Sequence, residues 1–250
     1  MGGVFCQDCS HGGLVMAIAL TNDDGIDAAG LLALRQAVKQ VSDDPIWVIA
    51  PNCHLSGCGH QVTTQQAIAI ERRTQREIAV AGTPADCSRL ALTHLCPNAN
   101  WLLSGINFGG NLGVDEYISG TVAAVREATI LGVRAIALSQ YRDRRLPPIS
   151  WELSRRYAVA VLQDLMARPL AQGCFWNVNF PHIPQLGDGA TAAIPEIVFC
   201  QASRQPLPTR FESDGDRFVY HGDYSRRDRT AGDDVDVCFS GKIAVTQRQL

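Results

Sequence analysis

Short continuous apolar runs alternate with stretches of helical period over the first two thirds of the chain. The run 14–20 is apolar throughout and ends at Thr21-Asn22-Asp23-Asp24-Gly25. An unbroken apolar run of this length fits a strand buried on both faces of a parallel sheet. A helical pattern starts near Asp27 and puts Leu31, Leu34, Val38 and Val41 on one face, and Asp43-Asp44-Pro45 ends it. Ile46-Trp47-Val48-Ile49-Ala50 is a second buried strand, so the segment reads as a β-α-β unit with a right-handed crossover. Residues 61–81 carry short β-like runs around Arg72, Arg73 and Arg76, which predicts a hairpin or excursion. Gly82-Thr83-Pro84-Ala85-Asp86 starts a helix running to about Leu95: Thr83 caps, Pro84 takes the first helical position and Asp86 closes a capping box.

The same alternation continues. Trp101-Leu102-Leu103 is predicted as a short buried strand that delivers the loop 104–113, with glycines at 105, 109, 110 and 113. Ser119-Gly120-Thr121 opens a helix from Val122 to about Leu131, and Arg134–Ser139 is a further strand. Residues 141–148 read as a charged surface loop. A helix from about Trp151 carries Leu153, Tyr157, Val161 and Leu165 in one stripe, and 175–181 reads as the last strand of the main sheet. Beyond it, residues 182–234 are rich in Pro, Gly, Asp and Arg and hold only short β-like runs. In this stretch Asp233-Asp234-Val235-Asp236 reads as a solvated acidic face, and Lys242–Thr246 as a final strand. The pattern is that of an α/β domain with a mostly parallel sheet and a C-terminal appendage.

Composition narrows the function classes. The 250 residues are 46% hydrophobic and 19% charged with a formal net charge of −3, which speaks against an electrostatic nucleic-acid binder. No apolar run reaches the length of a membrane span. The nine cysteines are scattered and odd in number, which reads as reduced thiols in a cytoplasmic protein. Cys6-x-x-Cys9 with His11 is half of a zinc pattern without its second half, so residues 1–15 read as a flexible extension.

Candidate chemistry gathers at strand ends. Asp23 and Asp24 follow the first strand directly. Adjacent carboxylates repel, so a buried pair asks for a cation or for hydrogen-bond donors, and a hard divalent ion bound by oxygen atoms is expected. Taken alone, the pair could equally be a helix cap. The loop after the second strand contains Cys53, His54, Ser56, Cys58 and His60. Its Cys and His spacing matches no standard zinc pattern, whereas Ser56 offers a hard oxygen. Asn107 lies in the glycine-rich loop, which matches neither the P-loop nor the dinucleotide fingerprint. Ser119, Gly120 and Thr121 at a helix start form a candidate phosphate site. Two carboxylates, Ser56, Asn107 and an anion-binding helix start on one sheet edge are what phosphoester hydrolysis uses.

These segments also resemble a known family. Thr21-Asn22-Asp23-Asp24-Gly25-Ile26, Ala50-Pro51 with Ser56 and Gly59-His60, Gly82 to Cys87, Ser104-Gly105-Ile106-Asn107 with Gly109, Asn111, Gly113 and Asp115, Ser119-Gly120-Thr121-Val122, and Asn177-Val178-Asn179 are similar to the SurE survival-protein family of metal-dependent nucleotidases. They follow in that family's order over about residues 16–181. The resemblance implies a Rossmann-like catalytic domain over 16–181 and an extended β-rich C-terminal arm over 182–250, exchanged between subunits of a homodimer or homotetramer. It implies hydrolysis of nucleoside 5′- and 3′-monophosphates with one Mg²⁺ or Mn²⁺ per subunit. Asp23, Asp24, Ser56 and Asn107 would bind the metal, Asp24 and Asn107 would act in catalysis, and Ser119, Gly120 and Thr121 would hold phosphate. Phe108 departs from the family pattern, where a polar residue is common. A catalytically silent nucleotide- or metal-binding module, or a dinucleotide-dependent oxidoreductase, are the rival readings.

Overall fold

The computed structural model describes residues 16–184, 193–222 and 224–250. The expectations for Cys6, Cys9 and His11, and for an extension over 1–15, lie outside the described residues.

Nine strands form one sheet with the order β3-β4-β2-β1-β5-β6-β7-β11-β8. Here β1 is Ala17–Thr21, β2 Ile46–Pro51, β3 Ile70–Thr74, β4 Glu77–Val80 and β5 Ala99–Phe108. The others are β6 Arg134–Gln140, β7 Cys174–Phe180, β8 Ile197–Phe199 and β11 Ile243–Gln249. Strands β4, β2, β1, β5, β6 and β7 run parallel. The 61–81 excursion is realised as the antiparallel pair β3–β4 at one edge.

Helices cover both faces, as the unbroken apolar strands require. The helices α1 (Ala29–Val41) and α4 (Trp151–Leu165) pack on one face, against Ile18, Leu20, Leu103, Ile106 and Val178. The opposite face is covered by α2 (Pro84–Leu90), whose path continues as a π-helical turn to Leu95, and by α3 (Gly120–Ile130). On that side β1 offers only Ala17 and Ala19, so the helices approach closely. The capping box predicted at Thr83 and Asp86 is present, with Pro84 at the helix start. The predicted stripe of α4 is buried at Leu153, Tyr157, Val161 and Leu165.

Three expectations are corrected. First, the strand predicted at 101–103 is β5, ten residues long, and it carries Ser104 to Phe108 into the sheet. Its register with β6 shifts between Ser104 and Asn107. Gly105 makes that irregularity possible, because a Cβ there would stand 2.2 Å from the Leu138 carbonyl oxygen. Asn107 is therefore the penultimate residue of a strand, and the glycine loop begins only at Gly109.

Second, β7 is not the last strand. β11 pairs antiparallel to it and β8 pairs parallel to β11. The chain after 181 thus returns to the sheet and also forms a separate hairpin of β9 (Phe211–Asp214) and β10 (Arg217–Tyr220).

Third, the acidic run at 233–236 is not a solvated face. It opens a short helix, α5 (Asp234–Phe239), with Asp233 capping it. Asp234 is fully buried and accepts the N–H groups of Gly113 and Ser203. Charge pattern alone hid this, because the groups it satisfies are distant in sequence. Among the described residues no helix is long and apolar enough to cross a membrane.

Candidate active site

The connection from β1 goes through α1 to β2 on one side, while β5 pairs on the other side of β1. The order reverses between β1 and β5, and such a switch point opens a crevice beyond the strands' carboxyl ends. Asp23 and Asp24 follow β1 there, and Asn107 is the penultimate residue of β5.

The turn after β1 is held by its own backbone and by Asn22, a buried residue whose Nδ2 donates to the Gly25 carbonyl at 2.8 Å. The Ile26 N–H donates to the Pro51 carbonyl, and the Leu55 N–H to the Asp23 carbonyl, each at 2.8 Å. These two bonds lace the loops after β1 and β2 together. The second loop then turns at Leu55–Cys58, closed by Cys58 N–H donating to the Leu55 carbonyl. Gly57 takes φ +76° in that turn, a conformation open to glycine at little cost. Ser56 is the exposed corner of this turn, one residue past the bond to Asp23.

The two aspartates differ in surroundings. Asp23 is 3% exposed, and its Oδ1 accepts the Thr121 hydroxyl at 2.6 Å. Burial pushes its carboxyl above the usual range; the Thr121 bond works against that shift and the neighbouring Asp24 adds to it. Gly120 lies flat against it, since a Cβ there would sit 2.8 Å from Asp23 Cβ and 2.9 Å from Cys58 Sγ. The Cys58 thiol is pushed up by its own partial burial and then by Asp23. Asp24 is more open. Its Oδ2 accepts the Phe108 N–H at 2.9 Å, and His54 Nδ1 lies 3.2 Å from its Oδ1. Next to Phe108, Asn107 donates through Nδ2 to the Gly109 carbonyl at 2.9 Å, which leaves its amide oxygen as the acceptor end.

Ser119 and Thr121 use their hydroxyls within the protein. Ser119 Oγ accepts the Val122 N–H as the cap of α3, and the Thr121 hydroxyl goes to Asp23. An anion here would meet the first N–H groups of α3, which have no intrahelical acceptor, and the positive end of the helix dipole.

Asp23, Asp24, Asn107, Gly120 and Thr121 are thus linked directly or through one neighbour, and Ser56 is tied in through Leu55. Cys53, His54, Cys58 and His60 do not form a metal cluster. Among the described residues no group of three or more His, Cys, Asp or Glu side chains is arranged to hold a metal ion. The oxygens of Ser56 and Asn107 would have to complete any set built on the two carboxylates.

Several supporting residues were not assigned from sequence. Buried Glu127 on α3 accepts Arg89 Nε at 2.6 Å and pairs with His60 Nε2 at 2.7 Å. This pins the far end of the Ser56 loop to α2 and α3. The loop 109–113 is pinned by Asn111, whose N–H donates to Asn179 Oδ1 and whose carbonyl accepts both Asn177 Nδ2 and Asn179 Nδ2. The sequence signal was two asparagines at alternating positions in a buried strand, all on one side of it.

Comparison with known proteins gives the chain its family. The family model described as Survival protein SurE matches residues 18–206. A Nostoc sp. protein named "Putative 5'-nucleotidase alr3139" is 54% identical over 235 residues, 94% of this chain and 100% of that one. The protein named 5'-nucleotidase SurE of Rhodospirillum rubrum is 36% identical, covering 92% of this chain and 88% of its own. The crystal structure of the SurE protein from Aquifex aeolicus superposes with a TM-score of 0.81 at 27% identity, covering 93% of each chain. With a family model spanning most of the chain and relatives similar over nearly all of it, the protein belongs to the Survival protein SurE family.

Proposed function

We propose that this chain is a divalent-metal-dependent phosphomonoesterase that hydrolyses nucleoside 5′-monophosphates, and 3′-monophosphates, to nucleoside and phosphate. The observation that carries the reading is a buried aspartate, Asp23, set beside a second, more open one, Asp24, at the mouth of α3. The names of the relatives point the same way.

The donor set fits a hard divalent ion, Mg²⁺ or Mn²⁺. Burial disfavours ionisation of Asp23, and a cation is the natural offset. Asp23, Asp24, Ser56 and Asn107 would hold it, all through oxygen. When bound, it supplies Lewis acidity toward a phosphoryl oxygen and makes water more acidic.

The chain's own residues do the rest. The start of α3, Ser119, Gly120 and Thr121, takes the phosphoryl oxygens and their growing charge through its free N–H groups and the positive end of the helix dipole. Asp24 orients the attacking water and accepts its proton, because its carboxylate is the more open of the two. Asp23 stays fixed by Thr121. The new P–O bond forms as the bond to the nucleoside oxygen breaks; the leaving oxygen takes a proton from solvent, and Asp24 returns to solvent the one it accepted. Asn107, its amide nitrogen held by the Gly109 carbonyl, has its oxygen free to accept or to coordinate, and acts there in catalysis.

The protein is read as cytoplasmic, and the subunit as part of a homodimer or homotetramer with the β9–β10 hairpin as its arm. The β9–β10 hairpin supports this, since Phe211, Phe218, Val219 and Tyr220 are all exposed on it.

Phosphate release from a panel of nucleoside monophosphates with Mg²⁺, Mn²⁺ or EDTA tests the reading. We expect metal-dependent turnover that Asp23→Asn and Asp24→Asn abolish. Full turnover in EDTA, or in either variant, overturns it.

A further inference from the structure

Phe108 follows Asn107 at the end of β5, and its backbone N–H is the donor that holds Asp24. Along a strand, neighbouring side chains point to opposite sides. Asn107 is buried, while Phe108 is 47% exposed. A large side chain is thus left about half open at this point, and it is not isolated. Trp151, at the start of α4, lies 6.1 Å away between ring centroids and is tilted by 45°. The Arg142 guanidinium carbon stands 5.0 Å from the Phe108 centroid. Arg142 comes two residues after Gln140, the partner of Phe108 across β5 and β6. It is exposed and has no ion pair among the described residues. An exposed arginine normally spends its charge on solvent or a carboxylate; here it lies over an aromatic ring.

Ring, indole and guanidinium are the groups on which flat heteroaromatic bases stack. They sit at the same strand end as the candidate phosphoryl site, one residue from Asn107. We propose that Phe108, flanked by Trp151 and Arg142, is the nucleobase subsite of this protein. The base of a nucleoside monophosphate stacks here while its phosphoryl group lies at Asp23, Asp24 and Asn107. The inference rests on the nucleotidase reading and adds to it a specificity determinant particular to this chain. Stacking needs no fixed partner on a base edge, so the subsite separates substrates with a base from those without one, and favours purines for their larger face.

The test compares AMP with ribose 5-phosphate, which has the same phosphoester and no base. Steady-state phosphate release is measured for the full chain, Phe108→Ala, Phe108→Trp and Arg142→Ala. We expect Phe108→Ala to lower kcat/KM for AMP about tenfold more than for ribose 5-phosphate, carried by KM, with Trp restoring the preference. Arg142→Ala lowers it less. An equal loss on both substrates, or an unchanged AMP preference in Phe108→Ala, overturns the subsite. If the wild-type chain releases phosphate from neither compound, the nucleotidase reading falls instead. The subsite is then judged by saturation-transfer NMR with adenosine in EDTA: adenine-proton saturation seen with wild type and lost in Phe108→Ala supports it, and saturation retained in Phe108→Ala, or absent from both proteins, overturns it.

Discussion

Adding one methyl group at Gly120 should damage the site more than the fold. The Cβ of Gly120→Ala would meet Asp23 Cβ at 2.8 Å, Cys58 Sγ at 2.9 Å and Asp23 Oδ2 at 3.0 Å. Each is short of ordinary contact by about half an ångström, so either Asp23 or the Cys58 loop must move. Overpacking of this kind costs about 1–3 kcal/mol. Alanine's better helix propensity returns little at the first position of α3. For a chain of this size, each kcal/mol shifts Tm by about 2–4 °C, so Tm should fall by roughly 2–12 °C. The larger effect is positional. Asp23 is held by the 2.6 Å bond from Thr121 on the same helix turn, so pushing it away strains that bond as well. Misplacing a reacting group by a fraction of an ångström to 1 Å can cost on the order of 100-fold in rate. The assay is AMP hydrolysis with Mn²⁺ alongside thermal unfolding. Cys58→Ala in the Gly120→Ala background removes one of the three clashes and should recover part of both losses, which a double-mutant cycle reads. Gly120→Ala with wild-type kcat/KM would refute the reasoning, and so would a loss that Cys58→Ala leaves untouched.

Other outcomes follow from the same contacts. Burial raises the Asp23 carboxyl, so its folded-state contribution to stability is fully present below the ordinary Asp range and is lost as pH rises through its raised value. Metal-free Asp23→Asn should therefore be more stable than metal-free wild type at neutral pH, with the gap closing on acidification; a constant gap across that window refutes it. Arg227 is buried and pairs with Asp115 at 2.6 Å, so Arg227→Met leaves a buried carboxylate without its cation and should cost about 3 kcal/mol or more in denaturant unfolding. Glu127→Gln keeps the shape but removes the charge that binds Arg89 and His60, so it should loosen the Ser56 loop and raise the metal concentration needed for half-maximal activity, with little change at saturating metal. Burial pushes the Cys96 thiol up to about 11 and also raises the Cys87 and Cys238 thiols well above their ordinary value. Brief alkylation at pH 8, mapped by mass spectrometry, should then mark exposed Cys53 and spare those three.

The main elements were legible because their signals are local. Apolar runs too long to alternate require a sheet covered on both faces, and the helix starts at Thr83 and Ser119 are set by residues within one turn of themselves. The carboxyl-edge position of Asp23 and Asp24 follows from the same pattern, since they come straight after the first buried run. What sequence could not decide depends on contacts across long separations. β5 extends through Asn107 only because Gly105 lets the chain pass the Leu138 carbonyl. Asp234 is buried because Gly113 and Ser203 bring it N–H groups from far along the chain. β11 and β8 join the sheet beyond β7 although the composition there suggested an appendage. The Thr121 hydroxyl, at a helix start that as sequence looked ready for phosphate, is turned inward to Asp23, and only the tertiary placement of the α3 N-terminus beside the turn after β1 could show that. Sequence determined which residues stand at the strand ends. Tertiary structure decided which of their atoms remain available, because a buried polar group must find a partner and the fold chooses which one.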